Sequence, residues 1–451
     1  MSGFNWTEDR LVAATGASAE RSAQGGPDGF CSDSRSAKRG DLFIGIPGAR
    51  VDGGTLAGEA LREGAWGVLV TPEALAAIDL GEISGCVLVH PDPVAALGLL
   101  AAERRRILNV PVIGVTGSTG KTSTKDVLGA LLGRQGEVFV SSGNRNTEVG
   151  LPLELLAVPE SATAVVLEMA MRAEGEIADL ARIASPDAGI IVNVGPVHLE
   201  TLGSIERVAA AKAELIGALR PGSVAVTPAG DSLLEPYMRD DLVNITFGPA
   251  GDSRLEAVDG RTLTMSVMGQ THVMEVDFDQ PHNRLNLLAA AAVATGLGFE
   301  LPQSLRVGFS GLRGQRKALE DGVIVIDDCY NANPMSMSAA LADLAGEQDR
   351  RGGRAVAVLG DMLELGPDSS KLHRELGRAA ADAGVGLLIT VGVQAAEAVG
   401  HFDGVSVAVD TADQAATELK ARLAPGDTVL VKGSRGVGLE LVLQSLEADG
   451  G

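Results

Sequence analysis

Apolar residues in the first part of the chain fall into short runs separated by glycine-rich turns. The stretches "DLFIGIPG" and "WGVLVT" predict two short strands. A longer stretch, "DPVAALGLLAAERRRI", begins with a polar residue and ends with arginines, which is typical of a helix, because its carboxyl end attracts positive charge. Pro111, in "NVPV", marks a change of pattern. We therefore predict a small α/β domain over residues 1–108.

From residue 109 to residue 316 the pattern repeats as strand, loop and helix. The run "VPVIGV" is apolar throughout, as expected of a strand buried on both faces, and "TAVVLEM", "AGIIVNV" and "SVAVTP" are further candidates. The helical pattern "TKDVLGALLGRQG" is predicted to end at Gly136. Strands that alternate with helices predict a second domain, 109–316, built on a parallel sheet.

The pattern changes again near residue 317. Four stretches each predict a strand that leaves polar residues at its carboxyl end: "GVIVIDDCYNANP", "AVAVLGDM", "LLITVG" and "DTVLVKGSRG". In open α/β sheets ligands bind at that edge. The sequence therefore predicts a third, Rossmann-like α/β domain over 317–451, with its strand ends facing a cleft shared with the second domain.

Composition narrows the possible partners. The 451 residues carry 37 basic and 59 acidic side chains, a net charge of −22, and only 3% are aromatic. This balance argues against a nucleic-acid partner, which requires a basic surface and aromatic stacking. The apolar run "LLAAAAVATGLGF" is shorter than the roughly 20 residues that span a bilayer. The first residues, "MSGFNWTEDR", lack the features of a secretory signal.

Cysteine usage points to a reducing compartment. Cys31, Cys86 and Cys329 have neither a metal-binding spacing nor the even number of a disulfide framework. We expect a soluble cytoplasmic protein without membrane insertion.

The loop "GVTGSTGKTSTKD", residues 114–126, departs from the usual phosphate-binding pattern at one position. That pattern has a glycine, four free residues and Gly-Lys-Ser/Thr, and Val115 takes the place of the first glycine. The spacing Gly117-x-x-Gly120-Lys121-Thr122 still aims backbone N–H groups at an anion, with Lys121 for phosphate and Thr122 for Mg²⁺. The alternative is an ordinary turn between a strand and a helix.

Three other polar residues are weak signals when each is taken alone. Glu168 at a strand end and His198 in "VGPVHLE" are plausible ligands for Mg²⁺ or Mn²⁺. Taken singly, each is more often a solvated side chain than a metal ligand, since most such polar side chains are exposed. Lys212, in an alanine-rich helix, would ordinarily lie at the surface, and "HNRLN" reads as a polar helix start before a buried alanine-rich face.

Together these stretches resemble the Mur ligase family over essentially the whole chain. The N-terminal part, with "DSR" and "GDLFIGIPGARVDG", resembles the family's uridine-nucleotide-binding domain. The segments "TGSTGKTSTKD", "GNRN", "LEM", "VGPVHLE", "AKAEL" and "PHNRLNLLAAAAVA" resemble its central ATPase domain. The segments "DDCYNANPMSM", "VLGDMLELG" and "VKGSR" resemble its C-terminal domain, and "YNANP" with "GDMLELG" favours the branch that adds D-alanyl-D-alanine.

The resemblance implies an ATP-dependent acid–amino-acid ligase of peptidoglycan precursor synthesis. Such an enzyme joins the carboxylate of UDP-N-acetylmuramoyl-tripeptide to D-alanyl-D-alanine through an acyl phosphate. Two negative groups, the carboxylate and the γ-phosphate, must be brought together, so the site requires cations and close positioning. A monomer is expected, and the third peptide residue, diaminopimelate or lysine, stays open.

The resemblance also assigns roles to residues. It implies ATP and two Mg²⁺ ions, one on Thr122 and Glu168 and one on His198, with Lys212 carbamylated by CO₂ near the metal. Asn286 would hold adenine, with His282 and Asn283 shaping the helix start. Asp328 and an arginine would contact the ribose and the γ-phosphate. The residues assigned to the phosphate loop are Gly117, Ser118, Thr119, Gly120, Lys121, Thr122 and Ser123.

Substrate residues follow from the same resemblance. Ser34 and Arg35 would hold the phosphates of the uridine nucleotide or the peptide through charge-assisted bonds. Those assigned to the peptide or dipeptide are Asn144, Asn146, Asn331, Asn333, Lys432, Ser434 and Arg435. Lys432 and Arg435 fit equally well as helix-start residues beside the last strand.

The sequence departs from the family pattern at the arginine. "GLRGQRKALE" offers both Arg313 and Arg316, and we favour Arg316 as the catalytic, ATP-contacting residue. Cys329, next to the proposed nucleotide site, is expected to be a small buried apolar residue. Other hypotheses are a sister ligase or a folylpolyglutamate synthetase with another acceptor, and a non-catalytic ATP-binding relative.

Overall fold

The computed structural model describes residues 5–48, 51–78, 84–311 and 314–448. Within these ranges three sheets form one after another along the chain, and helices cover them, in agreement with the predicted α/β class. No helix in the described ranges is long and apolar enough to cross a membrane.

The first sheet has five strands in the order β1-β5-β4-β3-β2. Only β1, at its edge, runs antiparallel to its neighbour. Its inner strands are completely buried, which agrees with the apolar runs predicted there. The elements are α1 (Glu8–Thr15), β1 (Ser18–Arg21), β2 (Gly29–Cys31), β3 (Asp41–Ile44), α2 (Ala57–Arg62), β4 (Gly67–Val70), α3 (Pro72–Ala77), β5 (Cys86–Val89) and α4 (Pro93–Ile107).

The second sheet has ten strands in the order β15-β14-β13-β12-β11-β10-β9-β6-β8-β7. Its elements are β6 (Val112–Thr116), α5 (Lys121–Leu132), β7 (Glu137–Val140), α6 (Gly150–Ala157), β8 (Ala162–Glu168), α7 (Glu176–Ala184), β9 (Ala188–Ile191), α8 (Leu199–Leu202), α9 (Ile205–Ala218), β10 (Val224–Pro228), β11 (Val243–Phe247), β12 (Ser253–Asp259), β13 (Thr262–Val267), β14 (Gln270–Val276), α10 (Pro281–Gly296) and β15 (Ser304–Leu305).

Two sequence predictions for this region need correction. The sheet is not parallel throughout, because β12, β13 and β14 form an antiparallel meander. Helix α5 ends at Leu132 rather than at Gly136, and Gly133 follows it as the cap. The helix stops early because the chain must turn back into β7, which begins at Glu137.

The third sheet has six strands in the order β16-β17-β21-β18-β19-β20, with only β16 antiparallel. Its elements are β16 (Gln315–Ala318), β17 (Ile324–Asp328), α11 (Pro334–Arg351), β18 (Ala355–Gly360), α12 (Ser369–Asp382), β19 (Leu387–Val391), β20 (Val405–Val409), α13 (Ala412–Arg422), β21 (Thr428–Lys432) and α14 (Glu440–Ala448). The predicted domain limits 1–108, 109–316 and 317–451 stay a prediction.

Strand order places the polar strand ends in one region. In the second sheet β6 lies between β8 and β9, so the chain leaves β6 towards one side and returns to the other. Such a switch point leaves a crevice at the carboxyl ends of the strands, where ligands bind in open α/β sheets. In the third sheet β17 and β21 are in register, so that Asp328 pairs with Lys432 at the same edge.

Candidate active site

The phosphate-binding loop connects β6 to α5. Gly120 has φ +75°, a left-handed conformation that favours glycine, and a Cβ there would lie 2.8 Å from Asn286 Oδ1. Helix α5 begins directly after it at Lys121, whose Nζ donates to the Gly117 carbonyl at 2.8 Å. The loop therefore delivers a helix N-terminus and a lysine to the same place, which suits an anion.

Asn193, which sequence reasoning missed, fixes the shape of this loop. Its side-chain oxygen accepts from the Thr119 N–H at 2.9 Å, and its carbonyl accepts from the Ser118 N–H at 3.1 Å. Its amide donates to Thr119 Oγ1 at 2.9 Å. The available signal was its position two residues after strand β9, at the edge where the loop also lies.

Glu168, the last residue of β8, lies beside the start of α5. One carboxylate oxygen accepts from Thr122 Oγ1 at 2.7 Å, and the other accepts from Asn146 Nδ2 at 2.8 Å. Lys125, fully buried, is 4.0 Å away and donates to the Ser141 carbonyl. The structure thus brings the hydroxyl and the carboxylate that the sequence assigned to a metal into direct contact.

His198 is half-buried and has φ +52°, which is uncommon outside glycine. Its Nδ1 faces the Glu364 carboxylate at 2.5 Å. Burial lowers the pKa of the imidazole below its ordinary value; Glu364 opposes this shift, and the charges of Lys121 and Lys212 reinforce it. This direction of the pKa shift favours the neutral ring, the state in which a ring nitrogen can act as a ligand.

Lys212 lies inside the protein, with 2% of its surface exposed. No hydrogen bond or ion pair joins its amine to another residue in the described part of the chain. Burial, together with the positive charge of Lys121, holds the pKa of the amine well below its ordinary value. The interpretation of Lys212 as an ordinary surface residue is therefore wrong.

The described residues contain no group of three histidine, cysteine, aspartate or glutamate side chains that could hold a metal ion. Mg²⁺ is commonly bound by one or two carboxylates together with substrate phosphates and water. The Thr122–Glu168 pair and the neutral imidazole of His198 fit that kind of site. These three side chains do not by themselves supply all the ligands of a metal ion.

The start of helix α10 lies over the phosphate-binding loop. Asn286 is buried and donates to Asn283 Oδ1 at 3.4 Å. Burial lowers the pKa of His282; Asp328 raises it, and Lys432 and Arg316 lower it. Since Asp328 and Lys432 belong to the third sheet, this helix start faces both sheets.

The third domain contributes a buried ion pair to the site. Lys432 Nζ lies 2.7 Å from Asp328 Oδ2 and donates to the Asn331 carbonyl at 2.8 Å. Asn333 caps helix α11, and its amide contacts the Ser118 carbonyl of the phosphate loop at 3.4 Å. Cys329 is buried in the core, which raises the pKa of its thiol, as expected of a small apolar residue.

Arg316 lies on β16 of the third sheet and is paired with two carboxylates. It contacts Asp343 at 2.8 Å and Glu347 at 3.1 Å, both on α11. A neighbouring ion pair, Arg350 with Asp279 at 3.0 Å, joins α11 to the segment before α10. Any contact of Arg316 with a nucleotide would therefore require exchange of these carboxylates. Arg313 lies outside the described residues.

A cavity of about 1560 Å³ separates the two strand edges. Its lining combines most of the predicted residues: Ser118, Thr119, Gly120, Lys121, Ser123, Asn144, Asn146, Glu168, His198, Asn286, Arg316, Asp328, Asn331, Asn333 and Lys432. The predicted residues outside the lining are Ser34, Arg35, Gly117, Thr122, Lys212, Ser434 and Arg435.

The residues outside the lining differ in their positions. Thr122 and Lys212 are buried directly behind it. Arg35 is on the surface of the first domain, with 88% of its side chain exposed and a salt bridge to Asp33. Ser434 is buried and accepts from the Leu363 N–H, while Arg435 stacks over the Tyr330 ring at 5.6 Å.

Comparison with known proteins gives concordant results. Two family models match, "Mur ligase middle domain" over residues 115–294 and "Mur ligase, glutamate ligase domain" over residues 312–435. The UDP-N-acetylmuramoyl-tripeptide--D-alanyl-D-alanine ligase of Bacillus subtilis is 34% identical over 432 residues, 93% of each chain.

Solved structures give the same picture. MurF from Acinetobacter baumannii superimposes with a TM-score of 0.88 at 27% identity, over 99% of both chains. MurF from Thermotoga maritima in complex with ADP has a TM-score of 0.82 at 30% identity, over 93% of this chain and 97% of that one.

Proposed function

The chain belongs to the Mur ligase family, and from this premise we propose that it ligates the tripeptide carboxylate of UDP-N-acetylmuramoyl-tripeptide to D-alanyl-D-alanine with hydrolysis of ATP to ADP and phosphate. The observation that carries the proposal is full-length similarity to ligases of that specificity. The cavity supports it, because a phosphate-binding loop on one edge faces polar strand ends on the other.

The chemistry requires activation of a carboxylate, which is a poor electrophile. A carboxylate oxygen attacks the γ-phosphorus of ATP, the bond from that phosphorus to the ADP oxygen breaks, and an acyl phosphate and ADP result. The amine of the dipeptide then attacks the acyl carbon, loses a proton and expels inorganic phosphate. The residues of this chain act by holding like-charged reactants close together.

Lys121 and the N-terminus of α5 would bind the phosphates of ATP. Asn286 and Asp328 would hold the adenine and the ribose from opposite sides of the cavity, and Arg316 would contact the phosphates after leaving its carboxylate partners. Lys432 holds Asp328 in place through the ion pair at 2.7 Å.

Thr122 and Glu168 would hold one Mg²⁺ ion, and His198 with a modified Lys212 would hold the second. When bound, the metal neutralises charge on the phosphates and the acceptor carboxylate. Thr122 and Glu168 already contact each other at 2.7 Å, so the ion requires only a small rearrangement there.

Lys212 would carry a carbamate. The attacking species is the neutral amine, and burial beside Lys121 favours that form because it lowers the pKa of the amine well below its ordinary value. Its nitrogen would bond to the carbon of CO₂ with loss of a proton, which replaces a potential cation with a carboxylate-like group. This change would remove the repulsion between Lys121 and a charged Lys212 and supply an anionic ligand.

The remaining predicted residues would bind the two substrates. Ser34 and Arg35 would contact the uridine nucleotide, and Asn144 and Asn146 the activated end of the peptide. The third domain would hold the dipeptide through Asn331, Asn333, Lys432, Ser434 and Arg435. Because ATP and UDP-linked sugars are cytoplasmic metabolites, we place the reaction in the cytoplasm. We further propose that the enzyme acts as a monomer.

Product analysis tests the proposal. Purified protein is incubated with ATP, Mg²⁺ and UDP-N-acetylmuramoyl-tripeptide, together with either D-alanyl-D-alanine or single amino acids, and the products are measured by mass spectrometry. We expect the pentapeptide product only with the dipeptide. Turnover with a single amino acid but not with the dipeptide would contradict the proposal and favour a sister ligase.

A further inference from the structure

A short segment of the third domain docks on the loop that carries His198. Glu364 and His198 face each other, and both have positive φ, +63° and +52°. The Glu364 carbonyl accepts from the Glu200 N–H at 3.2 Å, and its carboxylate contacts His198 Nδ1 at 2.5 Å. A left-handed residue that is not glycine costs on the order of 1 kcal/mol, so two such residues in contact indicate a closely specified interface.

The chemistry of the two side chains fixes the position of one proton. A carboxylate oxygen accepts hydrogen bonds, so in the 2.5 Å contact Nδ1 of His198 carries the hydrogen that it donates to Glu364. The lone pair is then on Nε2, the nitrogen that does not face Glu364. Histidines that bind metals characteristically donate the other ring N–H to a carboxylate or carbonyl in this way.

Glu364 reaches His198 from another domain. It follows β18 of the third sheet, whereas His198 follows β9 of the second. Gly366 adds to the same contact, since a Cβ at that residue would lie 3.2 Å from the Glu200 backbone. The carboxylate is therefore in place only when this segment rests on the central domain.

We propose that Glu364 is a positioning residue that couples docking of the third domain to the His198 tautomer with a free Nε2. Docking would thereby prepare His198 to bind a cation at the moment when the cavity is assembled. This inference rests on the proposed function for the role of His198. It goes beyond that function because Glu364 was assigned no role by the sequence and does not line the cavity.

The structure supplies a graded set of variants. Glu364→Ala removes the acceptor, whereas Glu364→Gln retains an oxygen that can accept from Nδ1–H. The backbone bond to Glu200 does not involve the side chain and survives in both. Asp368→Ala is the matched control, because this exposed carboxylate on the same segment makes no side-chain hydrogen bond in the described ranges.

The tautomer is read directly by nitrogen NMR of full-length protein labelled with ¹⁵N-histidine, with His198→Gln used for assignment. We expect hydrogen on Nδ1 in the wild type, in Glu364→Gln and in Asp368→Ala, and a shift towards hydrogen on Nε2 in Glu364→Ala. An unchanged tautomer in Glu364→Ala, or hydrogen on Nε2 in the wild type, would overturn the proposal.

Cation binding is measured separately by electron paramagnetic resonance with Mn²⁺ in the presence of ADP. Of the Mn²⁺ ions that the protein binds, the relevant one is the ion whose binding is lost in His198→Ala. For that ion we expect the dissociation constant to rise roughly 10- to 100-fold in Glu364→Ala, with a smaller rise in Glu364→Gln and none in Asp368→Ala. Wild-type affinity in Glu364→Ala, or no ion that depends on His198, would refute the coupling.

Neither measurement needs the muropeptide, so the two proposals fail in different ways. Failure to ligate D-alanyl-D-alanine, with the tautomer and Mn²⁺ results as expected, would contradict the proposed function only. Normal ligation, together with an unchanged His198 tautomer and unchanged Mn²⁺ affinity in Glu364→Ala, would contradict the positioning role only.

Discussion

At the scale of single residues, two lysines near the same site, Lys121 and Lys212, have different environments. Lys121 lines the cavity and bonds to its own loop, whereas Lys212 is enclosed and has no partner in the described ranges. Burial, reinforced by the positive charge of Lys121, holds the pKa of the Lys212 amine well below its ordinary value. These environments suit the proposed roles, with Lys121 as a cation for phosphate and Lys212 as the amine that takes up CO₂.

Replacement of Lys121 by alanine tests the first role. We expect kcat/KM for ATP to fall at least about 100-fold, because a preorganised charge on the transferring phosphate is lost. The unfolding midpoint should stay close to that of the wild type. Lys371→Ala, on the exposed face of α12, is the control and should change neither quantity. Turnover in Lys121→Ala at the wild-type rate would contradict the assignment of the loop.

Replacement of Lys212 by alanine tests the carbamate. We expect loss of activity and partial recovery when formate or acetate is added, because a small carboxylate can enter the space that the side chain leaves. Lys212→Met fills that space and should be inactive with and without the acids. Lack of rescue in the alanine variant, or rescue in the methionine variant, would count against an anionic group at this position. Steady-state ligation assays provide the measurement.

At the scale of elements, the junction of β6 and α5 depends on Gly120. Gly120→Ala forces an L-residue to φ +75° and places a methyl group 2.8 Å from Asn286 Oδ1. We expect a destabilisation of about 1–2 kcal/mol and weakened nucleotide binding, measured by urea unfolding and by ADP titration.

Gly217 provides the matched control for that variant. It lies in helix α9, and a Cβ there meets nothing within 4 Å. Gly217→Ala should be neutral or stabilising by up to about 1 kcal/mol, since alanine loses less backbone entropy in a helix. Equal effects of the two substitutions would show that the turn does not require glycine.

Helix α12 supports the Glu364 segment through a buried histidine. His373 Nδ1 donates to the Ser369 carbonyl at 2.7 Å, and Nε2 accepts from the Met362 N–H at 3.0 Å. Burial lowers the pKa of His373 below its ordinary value of 6.5, although the Ser369 carbonyl and nearby carboxylates oppose the shift. Protonation would therefore break the bond to Met362.

The sign of the resulting pH dependence follows from linkage. Between the folded-state pKa and 6.5 the unfolded chain binds the proton and the folded chain does not. The contribution of His373 to stability is thus complete above pH 6.5 and falls as the pH drops below it, by up to about 1.4 kcal/mol per pH unit. We expect the free energy of unfolding of His373→Gln to depend less on pH between 5 and 7 than that of the wild type. The free energy of unfolding is measured by urea titration at each pH. An equal dependence on pH for the two proteins would contradict this expectation.

At the scale of the whole molecule, a small number of polar contacts join the second and third domains across a large cavity. They include Asn333 to the Ser118 carbonyl, Glu364 to His198 and the Arg350–Asp279 pair. The Arg350–Asp279 pair is partly exposed, and such a pair contributes less than about 1 kcal/mol. An interface of this kind permits relative motion of domains unless ligands bridge it.

Small-angle scattering tests that conclusion. We expect the radius of gyration to fall when Mg²⁺, an ATP analogue and UDP-muropeptide are added together, because the ligands bridge the two strand edges and shift the population towards the docked arrangement. Lys121→Ala, which should not hold the nucleotide, is the control and should show a smaller change. Identical scattering of the wild type with and without the ligands would contradict domain closure.

Local patterns predicted much of the fold and of the site. The apolar runs located strands β6, β8, β9 and β10, and the altered glycine spacing located the loop before α5. They missed the antiparallel character of β12–β14, because alternation along one strand does not report the direction of its neighbour. They also missed Asn193, whose role depends on bonds to a loop more than 70 residues away in sequence.

The amino-acid sequence was sufficient to predict the α/β class and a candidate phosphate-binding loop, since periodicity and loop motifs are local properties. The family followed from the order of those motifs. Only the tertiary structure decided that Lys212 is buried, that Arg316 is already paired with carboxylates and that Glu364 of one domain touches His198 of another. These facts depend on burial and on contacts between distant segments, which tertiary packing sets and no local pattern encodes.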